Sequence, residues 1–326
     1  MLTNKKFIFI ILSLVLIIIS GRLGFKIGEK NIKNPDLKSE KHQEGYKYVS
    51  PLLECTGSNV LNYNHNNIKI KLEDLAKEKI REKQAQNISI YFRDLNNGPW
   101  LSINGEEKFS PASLLKVPLM IAYFKLAENN PSLLNKKIKV TEEYKNTITQ
   151  NIPPAQILEV NKEYSVEDLI ERMIKYSDNL AANVLLTNID EEELEKIYHD
   201  LGVEIPKIGQ EENFMSIIDY STFFRILYNS SYLNTSMSEK ALSIMANSDF
   251  TMGIKRKLPA GTVVSHKFGE RVFNGQNQLH DCGIVYLGKK NYLICIMTRG
   301  NDFTLMEDTI ADLSRLVFDH VLLENE

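Results

Sequence analysis

Residues 88–105 read ISIYFRDLNNGPWLSING, and this stretch decides the fold class. Its two halves, 88–95 and 99–105, are rich in β-branched and aromatic side chains, and the Asn-Asn-Gly between them is typical of a turn. We therefore predict two strands joined as a hairpin. Apolar residues recur at helical spacing over 68–80, so we expect a helix before the hairpin.

The rest of the chain places helices in the middle and strands near the end. Apolar stripes of helical spacing recur at 114–126, 166–175, 180–186, 191–201, 217–228 and 238–246. Strand-like runs return at 262–268, 282–287 and 292–298, and an amphipathic helix is predicted at 305–323. Strands grouped apart from helices predict an α+β fold, with an antiparallel sheet packed on helices.

The composition is that of an ordinary globular protein. Of the 326 residues, 43% are hydrophobic and 25% are charged, which excludes a disordered, collagen-like or disulfide-rich chain. The formal net charge is −3; residues 1–50 hold nine Lys or Arg against four Asp or Glu, a net +5, so residues 51–326 sum to −8. An acidic body argues against nucleic acid as a partner.

The amino-terminal segment predicts a membrane anchor. Residues 7–19 read FIFIILSLVLIII and follow Lys5 and Lys6. A cleaved signal peptide is the alternative, but cleavage after Ser20 would place bulky Ile18 three residues before the cut. We therefore favour an uncleaved anchor, with a polar linker between it and the folded body.

This interpretation divides the chain into a signal anchor or transmembrane segment at 1–25, a polar stem at 26–50 and one folded domain at 51–326. The predicted location is the cell membrane, with the folded domain on the extracytoplasmic side, or secretion if the segment is cleaved. We expect a monomer.

The sequence leaves the state of its cysteines, Cys55, Cys282 and Cys295, open. If Gly288 and Lys289 form a two-residue hairpin turn, Cys282 and Cys295 lie directly opposite each other, whereas a one-residue slip separates them. A cross-strand disulfide and two ordinary buried thiols are both compatible with this pattern.

Ser113 and Lys116 are the first candidates for chemistry. They lie in SPASLLK, residues 110–116, at the start of a predicted apolar helix. Residues at i and i+3 share a helix face, so the lysine amine can reach the serine hydroxyl and, with a lowered pKa, act as its base. Taken alone, the pair is more simply explained by a helix N-cap.

Two further segments carry polar residues at the ends of predicted elements. Residues 176–179 read YSDN and lie between two helical patterns, where Asp or Asn ordinarily caps a helix. Residues 263–270 read VVSHKFGE, a strand ending in Lys267 and a glycine. Gly269 would let a ligand lie close to the strand backbone.

Together the motifs form a known constellation: Ser-x-x-Lys at a helix start, Ser-Asp-Asn between helices and Lys-x-Gly on a late strand. With SDNLAANVLL at 177–186 and LPAGTVVSHKFGE at 258–270, the chain resembles the class A β-lactamases and D-Ala-D-Ala peptidases, which are penicillin-recognising serine acyl transferases. The resemblance covers about residues 68–326. It implies a β-lactamase/transpeptidase-like fold, in which an antiparallel five-stranded sheet packed with helices faces an all-helical subdomain across the active-site cleft.

The resemblance also implies a role for each matching residue. Ser113 would be the nucleophile, Lys116 its proton acceptor, and Ser177 the relay that passes a proton to the leaving nitrogen. The backbone N–H groups of Ser113 and of Glu270 would form an oxyanion hole.

Substrate binding is implied for Asn179, which would bind a side-chain amide of the substrate, and for Lys267, which would supply positive charge. Gly269 and Glu270 would line the substrate's path on the strand. No cofactor is implied, and the six histidines show no paired metal-binding arrangement.

The chain departs from the family pattern after Ser-Asp-Asn. Class A enzymes carry there a loop with a glutamate and an asparagine that position the deacylating water. Residues 201–213 read LGVEIPKIGQEEN and contain no Glu-x-x-Leu-Asn. Glu204, Glu211 and Glu212 are nearby carboxylates, either alternative bases or solvated loop charges.

The second departure is Phe268, which replaces a hydroxyl residue that helps to hold the substrate carboxylate in the family. A phenyl ring donates no hydrogen bond. Arg271 is either a substitute carboxylate clamp or part of a surface ion pair.

Three hypotheses about function follow. The leading one is a membrane-anchored, extracytoplasmic serine hydrolase that forms an acyl-enzyme with a β-lactam or related amide and deacylates weakly. The first alternative is a D-Ala-D-Ala carboxypeptidase or transpeptidase that acts on peptidoglycan stem peptides. The second is a non-catalytic cell-wall-binding protein of the same fold, against which the retained motif residues argue.

Overall fold

A computed structural model of the protein describes residues 41–43, 45–54, 63–96, 98–144, 150–205, 213–273 and 275–323. The predicted anchor and most of the predicted stem lie outside these ranges. Within them, no helix is both long enough and apolar enough to cross a bilayer.

The chain begins with short strands, a long helix and a hairpin, followed by a helical middle. The elements up to residue 201 are β1 (Lys41–His42), β2 (Leu52–Glu54), α1 (Tyr63–Arg81), β3 (Asn87–Asp94), β4 (Trp100–Ile103), β5 (Lys108–Phe109), α2 (Lys116–Asn129), β6 (Lys137–Lys139), β7 (Glu163–Ser165), α3 (Val166–Lys175), α4 (Asn179–Thr187) and α5 (Glu191–Leu201). Short 3₁₀ turns lie at Ala112–Leu115, Pro131–Asn135 and Glu142–Tyr144.

The second half completes the helical middle and then returns to strands. Its elements are β8 (Met215–Ser216), α6 (Ile217–Tyr228), α7 (Thr235–Ala246), β9 (Val263–Phe273), β10 (Gln276–Tyr286), β11 (Tyr292–Gly300) and α8 (Phe303–Leu323).

The central sheet has five antiparallel strands, as the sequence predicts, and their order is β4-β3-β11-β10-β9. The hairpin β3–β4 from the start of the chain therefore pairs with strands from its end. Strand β9 lies at one edge, so one side of its backbone has no partner strand within this sheet. A free strand edge can accept an extended ligand or a neighbouring loop.

Alternating side chains divide the core between the two faces of the sheet. On β11, Ile294 and Ile296 join the cluster formed with α1 and α8, whereas Leu293 and Cys295 join the cluster formed with the middle helices. This alternation follows from the two-residue period of a strand. The fold is thus α+β, with two terminal helices on one face and the helical part of the chain on the other.

Polar side chains fix the helix starts in the helical part. Ser165 and Asp168 form a reciprocal capping box at α3, and Ser216 and Asn234 accept from backbone N–H groups at the starts of α6 and α7. Such caps each stabilise a helix by about 1 kcal/mol. Two of the motif segments also lie at helix starts, since Ser113 precedes α2 and Ser177 precedes α4.

The β9–β10 hairpin extends further than the sequence predicts. We predict strands at 262–268 and 282–287, whereas β9 runs to Phe273 and β10 begins at Gln276. The added residues include polar side chains such as Gln278 and His280 that are buried. Apolar periodicity does not detect them because their burial depends on hydrogen bonds.

Cys282 and Cys295 lie directly opposite each other, in the register that a two-residue turn at Gly288 and Lys289 predicts. Gly288 has a φ of +68°, as this turn requires. Both cysteines are free and buried, so the pair consists of two thiols. The remaining cysteine, at position 55, is outside the described residues.

Part of the segment predicted as a stem is packed on the folded body. Tyr48 and Val49 are 8% and 5% exposed, and the carboxylate of Glu239 on α7 accepts hydrogen bonds from their backbone N–H groups and from that of Lys47. Ser50 N–H donates to the carbonyl oxygen of Tyr228 at 2.7 Å. Residues 47–50 therefore pack on the folded body, because the partly buried carboxylate of Glu239 and the carbonyl oxygen of Tyr228 bind their backbone.

Candidate active site

Ser113 lies in the 3₁₀ turn Ala112–Leu115, which leads directly into α2. The backbone N–H of Lys116, the first residue of α2, donates to the carbonyl oxygen of Ser113. Residues three apart in a 3₁₀ turn are eclipsed, so the side chains of Ser113 and Lys116 leave the backbone on the same side. Ser113 is partly exposed, whereas Lys116 is 6% exposed.

The Lys116 amine is held by the segment between α3 and α4. Nζ donates to the carbonyl oxygen of Ser177 at 2.6 Å, to Asn179 Oδ1 at 2.7 Å and to Ser177 Oγ at 3.2 Å. Burial lowers the pKa of Lys116 to about 7, against the opposing charges of Asp178 and Glu270. A large fraction of the amine is therefore neutral near pH 7 and able to accept a proton.

Lys267 approaches the same hydroxyl from β9. Its Nζ donates to Ser177 Oγ at 2.9 Å and to the carbonyl oxygen of Phe268 at 2.8 Å. Lys267 is fully buried, and this burial, with the charge of Lys116 nearby, holds the pKa of its amine well below the usual range. The Ser177 hydroxyl thus bridges two amines whose charged forms are both disfavoured, which suits it to pass a proton.

Ser177 adopts a backbone conformation that is unusual for a residue with a side chain. Its φ is +56°, and it is 1% exposed. The next residue, Asp178, caps α4 by accepting from the backbone N–H groups of Leu180 and Ala181. Asp178 therefore acts as a helix cap. The flanking residues Ser177 and Asn179 are the ones whose side chains bind the Lys116 amine.

Gly269 brings β9 against the 3₁₀ turn Ala112–Leu115, which we call the nucleophile turn because the family resemblance assigns the nucleophile to Ser113. A Cβ atom at this position would lie 2.6 Å from the carbonyl oxygen of Pro111 and 3.1 Å from the backbone nitrogen of Leu114. Both neighbours are backbone atoms, so any other residue would push the strand and the turn apart. The absence of a side chain at Gly269 therefore sets the distance between Ser113 and the strand edge.

Three side chains from β9 and β10 fix Ser110, just before the nucleophile turn. Gln278 Oε1 accepts from its backbone N–H at 3.0 Å, His280 Nε2 donates to its carbonyl oxygen at 3.0 Å, and Arg271 Nη1 donates to its Oγ at 3.3 Å. His280 Nδ1 accepts from the backbone N–H of Thr298, which leaves the ring proton on Nε2. Burial lowers the pKa of His280 to about 4.

These supports were largely missed by sequence analysis. Sequence analysis does not single out Gln278, and it treats His280 only as a histidine without metal-binding partners. Tyr220, whose hydroxyl donates to the carbonyl oxygen of Leu114 at 3.0 Å, lies inside a predicted helical stripe. Gln150, whose side-chain amide donates to the carbonyl oxygen of Ser177 at 3.0 Å, was also missed. The one available signal was the two-residue spacing of Gln278 and His280, which places both on one face of a strand.

The motif residues are thus assembled at one place. Hydrogen bonds join Lys116, Ser177, Asn179 and Lys267, and Gly269 packs against the turn that carries the serine. A family model described as the β-lactamase enzyme family matches residues 58–321. The chain belongs to this family.

Solved structures of the β-lactamase fold superpose on most of this chain. A β-lactamase from Chitinophaga pinensis is 21% identical with a TM-score of 0.66, over 78% of this chain and 99% of that one. A class A β-lactamase from Mycobacterium abscessus is 20% identical with a TM-score of 0.66, over 77% of this chain and 98% of that one. PBP-A, as an L158E mutant in an acyl-enzyme complex with penicillin G, is 22% identical with a TM-score of 0.65, over 78% and 96%.

Membership of the β-lactamase family makes the protein a serine hydrolase with the predicted α+β fold. This favours the two enzyme hypotheses over a non-catalytic wall-binding protein.

The departures from the family pattern have clear structural settings. The ring of Phe268 stacks on Phe250 with centroids 4.0 Å apart, and its centroid lies 4.2 Å from Lys267 Nζ. The phenyl ring therefore packs against these two side chains. Arg271 donates to Ser110 Oγ, a contact that holds the nucleophile turn.

Of the candidate loop bases, Glu204 is the one that the structure describes. Its side chain is 54% exposed, and its Oε2 lies 4.0 Å from Lys108 Nζ. This setting is that of a solvated surface charge. Glu211 and Glu212 lie outside the described residues.

Proposed function

We propose that this protein is an acyl-enzyme-forming hydrolase in which Ser113 attacks a β-lactam or a peptidoglycan-like amide. The observation that carries the proposal is the hydrogen-bonded group of Lys116, Ser177 and Lys267 beside the nucleophile turn. Two buried amines that share one hydroxyl have little structural value, because burying charged groups is costly. They are suited to moving a proton between a serine and a leaving nitrogen.

Acylation begins with neutral Lys116. Its amine takes the proton of the Ser113 hydroxyl as Oγ bonds to the substrate carbonyl carbon, which leaves a negative charge on the carbonyl oxygen. The backbone N–H groups of Ser113 and Glu270 stabilise that charge, and losing one such donor costs about 3 kcal/mol in other serine hydrolases.

Collapse of the tetrahedral intermediate breaks the carbon–nitrogen bond. Lys116 returns a proton to the Ser177 hydroxyl as that hydroxyl passes its own proton to the leaving nitrogen, so Ser177 ends unchanged. Lys267 stabilises the transient negative charge on Ser177 Oγ, from which its amine lies 2.9 Å. Asn179 orients the substrate through its side-chain amide.

The setting of Glu204 supports slow deacylation. An exposed carboxylate beside a lysine is poorly placed to activate a water molecule in the cleft. Slow deacylation favours the D-Ala-D-Ala carboxypeptidase or transpeptidase hypothesis, in which an acceptor other than water resolves the acyl-enzyme. We keep it as the second candidate.

Time-resolved intact mass spectrometry with penicillin G tests the proposal. We expect the full-length protein to gain the mass of one penicillin and Ser113→Ala to gain none. Lys116→Ala should be acylated slower by orders of magnitude. The control Ser132→Ala changes an exposed serine on the helical part and should behave as the wild type.

The outcomes separate the hypotheses. A lasting adduct indicates a peptidase-like enzyme or a slow hydrolase, whereas hydrolysed penicillin without a lasting adduct indicates a β-lactamase with another deacylating base. Equal labelling of wild type and Ser113→Ala would overturn the assignment of the nucleophile.

We also propose that residues 1–25 anchor the protein in the cell membrane, with the catalytic domain on the extracytoplasmic side. The support is the apolar run at 7–19 after two lysines. We expect the full-length protein in the membrane fraction after a high-salt, alkaline wash, and a chain starting at residue 41 in the soluble fraction. A full-length protein released by the wash would contradict the anchor.

A further inference from the structure

The carboxylate of Glu270 binds a segment of the helical part of the chain. Oε1 accepts from the backbone N–H groups of Asn151 at 2.7 Å and Ile152 at 3.1 Å, and Oε2 accepts from Asn151 Nδ2 at 2.6 Å. Both oxygens are engaged, and two of the three donors are main-chain groups. Such charge-assisted hydrogen bonds are about twice as strong as neutral ones.

The same segment reaches the Ser177 turn, which is the connection between α3 and α4 at residues 176–178. Gln150 Nε2 donates at 3.0 Å to the carbonyl oxygen of Ser177, which also accepts from Lys116 Nζ at 2.6 Å. Residues 150–152 therefore connect β9 to the Ser177 turn, alongside the direct hydrogen bond from Lys267 to Ser177 Oγ. Because Ser177 has a φ of +56°, its position depends on such outside contacts.

We propose that the Glu270 side chain is a positioning residue that latches residues 150–152 to the strand edge and, through Gln150, holds Ser177 beside the two lysines. The proposal rests on the proposed acylation function and extends it. The backbone N–H of Glu270 would serve the oxyanion hole while its side chain holds residues 151 and 152.

The charge of Glu270 has a second effect. The charged groups that face Lys116 are Asp178 at the start of α4 and Lys267 and Glu270 on β9. The negative charges of Asp178 and Glu270 raise the pKa of Lys116 and partly offset its burial. Removing the Glu270 charge should therefore make Lys116 neutral at a lower pH.

Three variants of the full-length protein separate the latch from the charge. Glu270→Ala removes both, Glu270→Gln removes the charge and keeps a hydrogen-bond acceptor, and Asn151→Ala keeps the charge and loses one of the three bonds. Glu163→Gln, an exposed carboxylate on β7, is the matched control.

Hydrogen exchange measured by mass spectrometry tests the latch without any substrate. We expect the amides of residues 151 and 152 to exchange roughly tenfold faster in Glu270→Ala, less so in Glu270→Gln, and as in wild type in Glu163→Gln. Protection of the β10 amides at 279–285 shows that each variant is folded. Unchanged exchange at residues 151 and 152 in folded Glu270→Ala would overturn the latch.

The pH profile of acylation by penicillin G tests the link to the site. In Glu270→Gln the acid limb should move to lower pH by about half a unit or more, whereas Asn151→Ala should leave it in place. A structural role alone would not shift the profile, so identical profiles in wild type and Glu270→Gln would overturn the link. If wild type is not acylated at all, the proposed function fails, and the exchange comparison still decides the latch.

Discussion

Lys116 brings a cationic side chain into a site where its charged form is disfavoured. An ordinary lysine is almost wholly protonated at neutral pH and cannot accept a proton. Because the site destabilises the charged amine of Lys116, more of the neutral, reactive form is present. Three acceptors surround the amine, and its burial lowers the pKa more than the charges of Asp178 and Glu270 raise it. The residue is therefore better suited to catalysis than to stability.

We predict that the acylation rate rises with pH and levels off above the pKa of Lys116, which is about 7. Because only the neutral amine accepts a proton, the rate should fall about fivefold between pH 7 and 6 and by roughly 30-fold in total between pH 8 and 5.5. Stopped-flow or quenched mass spectrometry at several pH values measures this. Lys137→Met, a change at an exposed lysine on β6, should not alter the profile, and a flat wild-type profile would rule out Lys116 as the base.

His280 predicts acid sensitivity of the folded state. Burial lowers its pKa from 6.5 to about 4, so between these values the unfolded chain binds the proton and the folded chain does not. Stability is full above pH 6.5 and falls as the pH drops, by about 3 kcal/mol at pH 4 for this group alone. In urea unfolding at pH 7.5 and 4.5, His280→Gln should lose about 2 kcal/mol less than wild type on acidification. Equal losses would show that His280 does not contribute.

At the level of residues, the motifs predicted the catalytic candidates but not their supports. Ser113, Lys116 and Ser177 stand at spacings that carry chemical meaning, and the structure places them together. Gln278 and Gln150 have no such spacing, because each acts on a residue distant in sequence. Only the folded backbone shows that their amides reach Ser110 and Ser177.

Between elements, the contact of β9 with the nucleophile turn decides the shape of the site. We predict that Gly269→Ala lowers the acylation rate by about 100-fold, because a shift of about 1 Å in a catalytic group costs that much. The added methyl would meet the carbonyl oxygen of Pro111 at 2.6 Å, and neither backbone can yield without moving Ser113 or the strand edge. The rate of adduct formation with penicillin G measures the effect.

Gly261→Ala is the matched control for this prediction. Gly261 has a φ of +85° and open space around its Cα, so the substitution strains the turn before β9 without touching the site. It should cost about 1 kcal/mol of stability and leave acylation unchanged. If Gly269→Ala acylated as fast as Gly261→Ala, the contact with the turn would have no catalytic importance.

Elements rich in apolar residues were predicted well, and elements built from buried polar residues were not. Residues 292–297 of β11 are all apolar or aromatic, and the predicted span 292–298 is close to the observed Tyr292–Gly300. The first half of β10 carries Gln278, His280 and Asp281, each 1% exposed or less. Their burial is stabilised by partners on other elements, which the pattern along one strand does not show.

At the scale of the molecule, residues 47–50 belong to the folded body. We predict that a chain starting at residue 51 is less stable than one starting at residue 41 by about 2–4 kcal/mol, since it loses the hydrogen bonds to Glu239 and Tyr228 and the burial of Tyr48. Urea unfolding of the two chains measures this. Glu239→Gln in the longer chain should reproduce part of the loss, and equal stability of the two chains would contradict the prediction.

The order of strands in the sheet also sets the timing of folding. Strand β3, near the start, pairs with β11, near the end, so that Asp94 faces Tyr292 and Asn87 faces Arg299. During synthesis, the hairpin β3–β4 and the helices of the middle emerge before the strands that complete their layer. Until then the edge of β3 is unpaired and its apolar face uncovered, a state prone to aggregation. The nascent chain cannot complete the five-stranded sheet until residue 300 has been synthesised. Synthesis of β11 therefore limits when folding can finish.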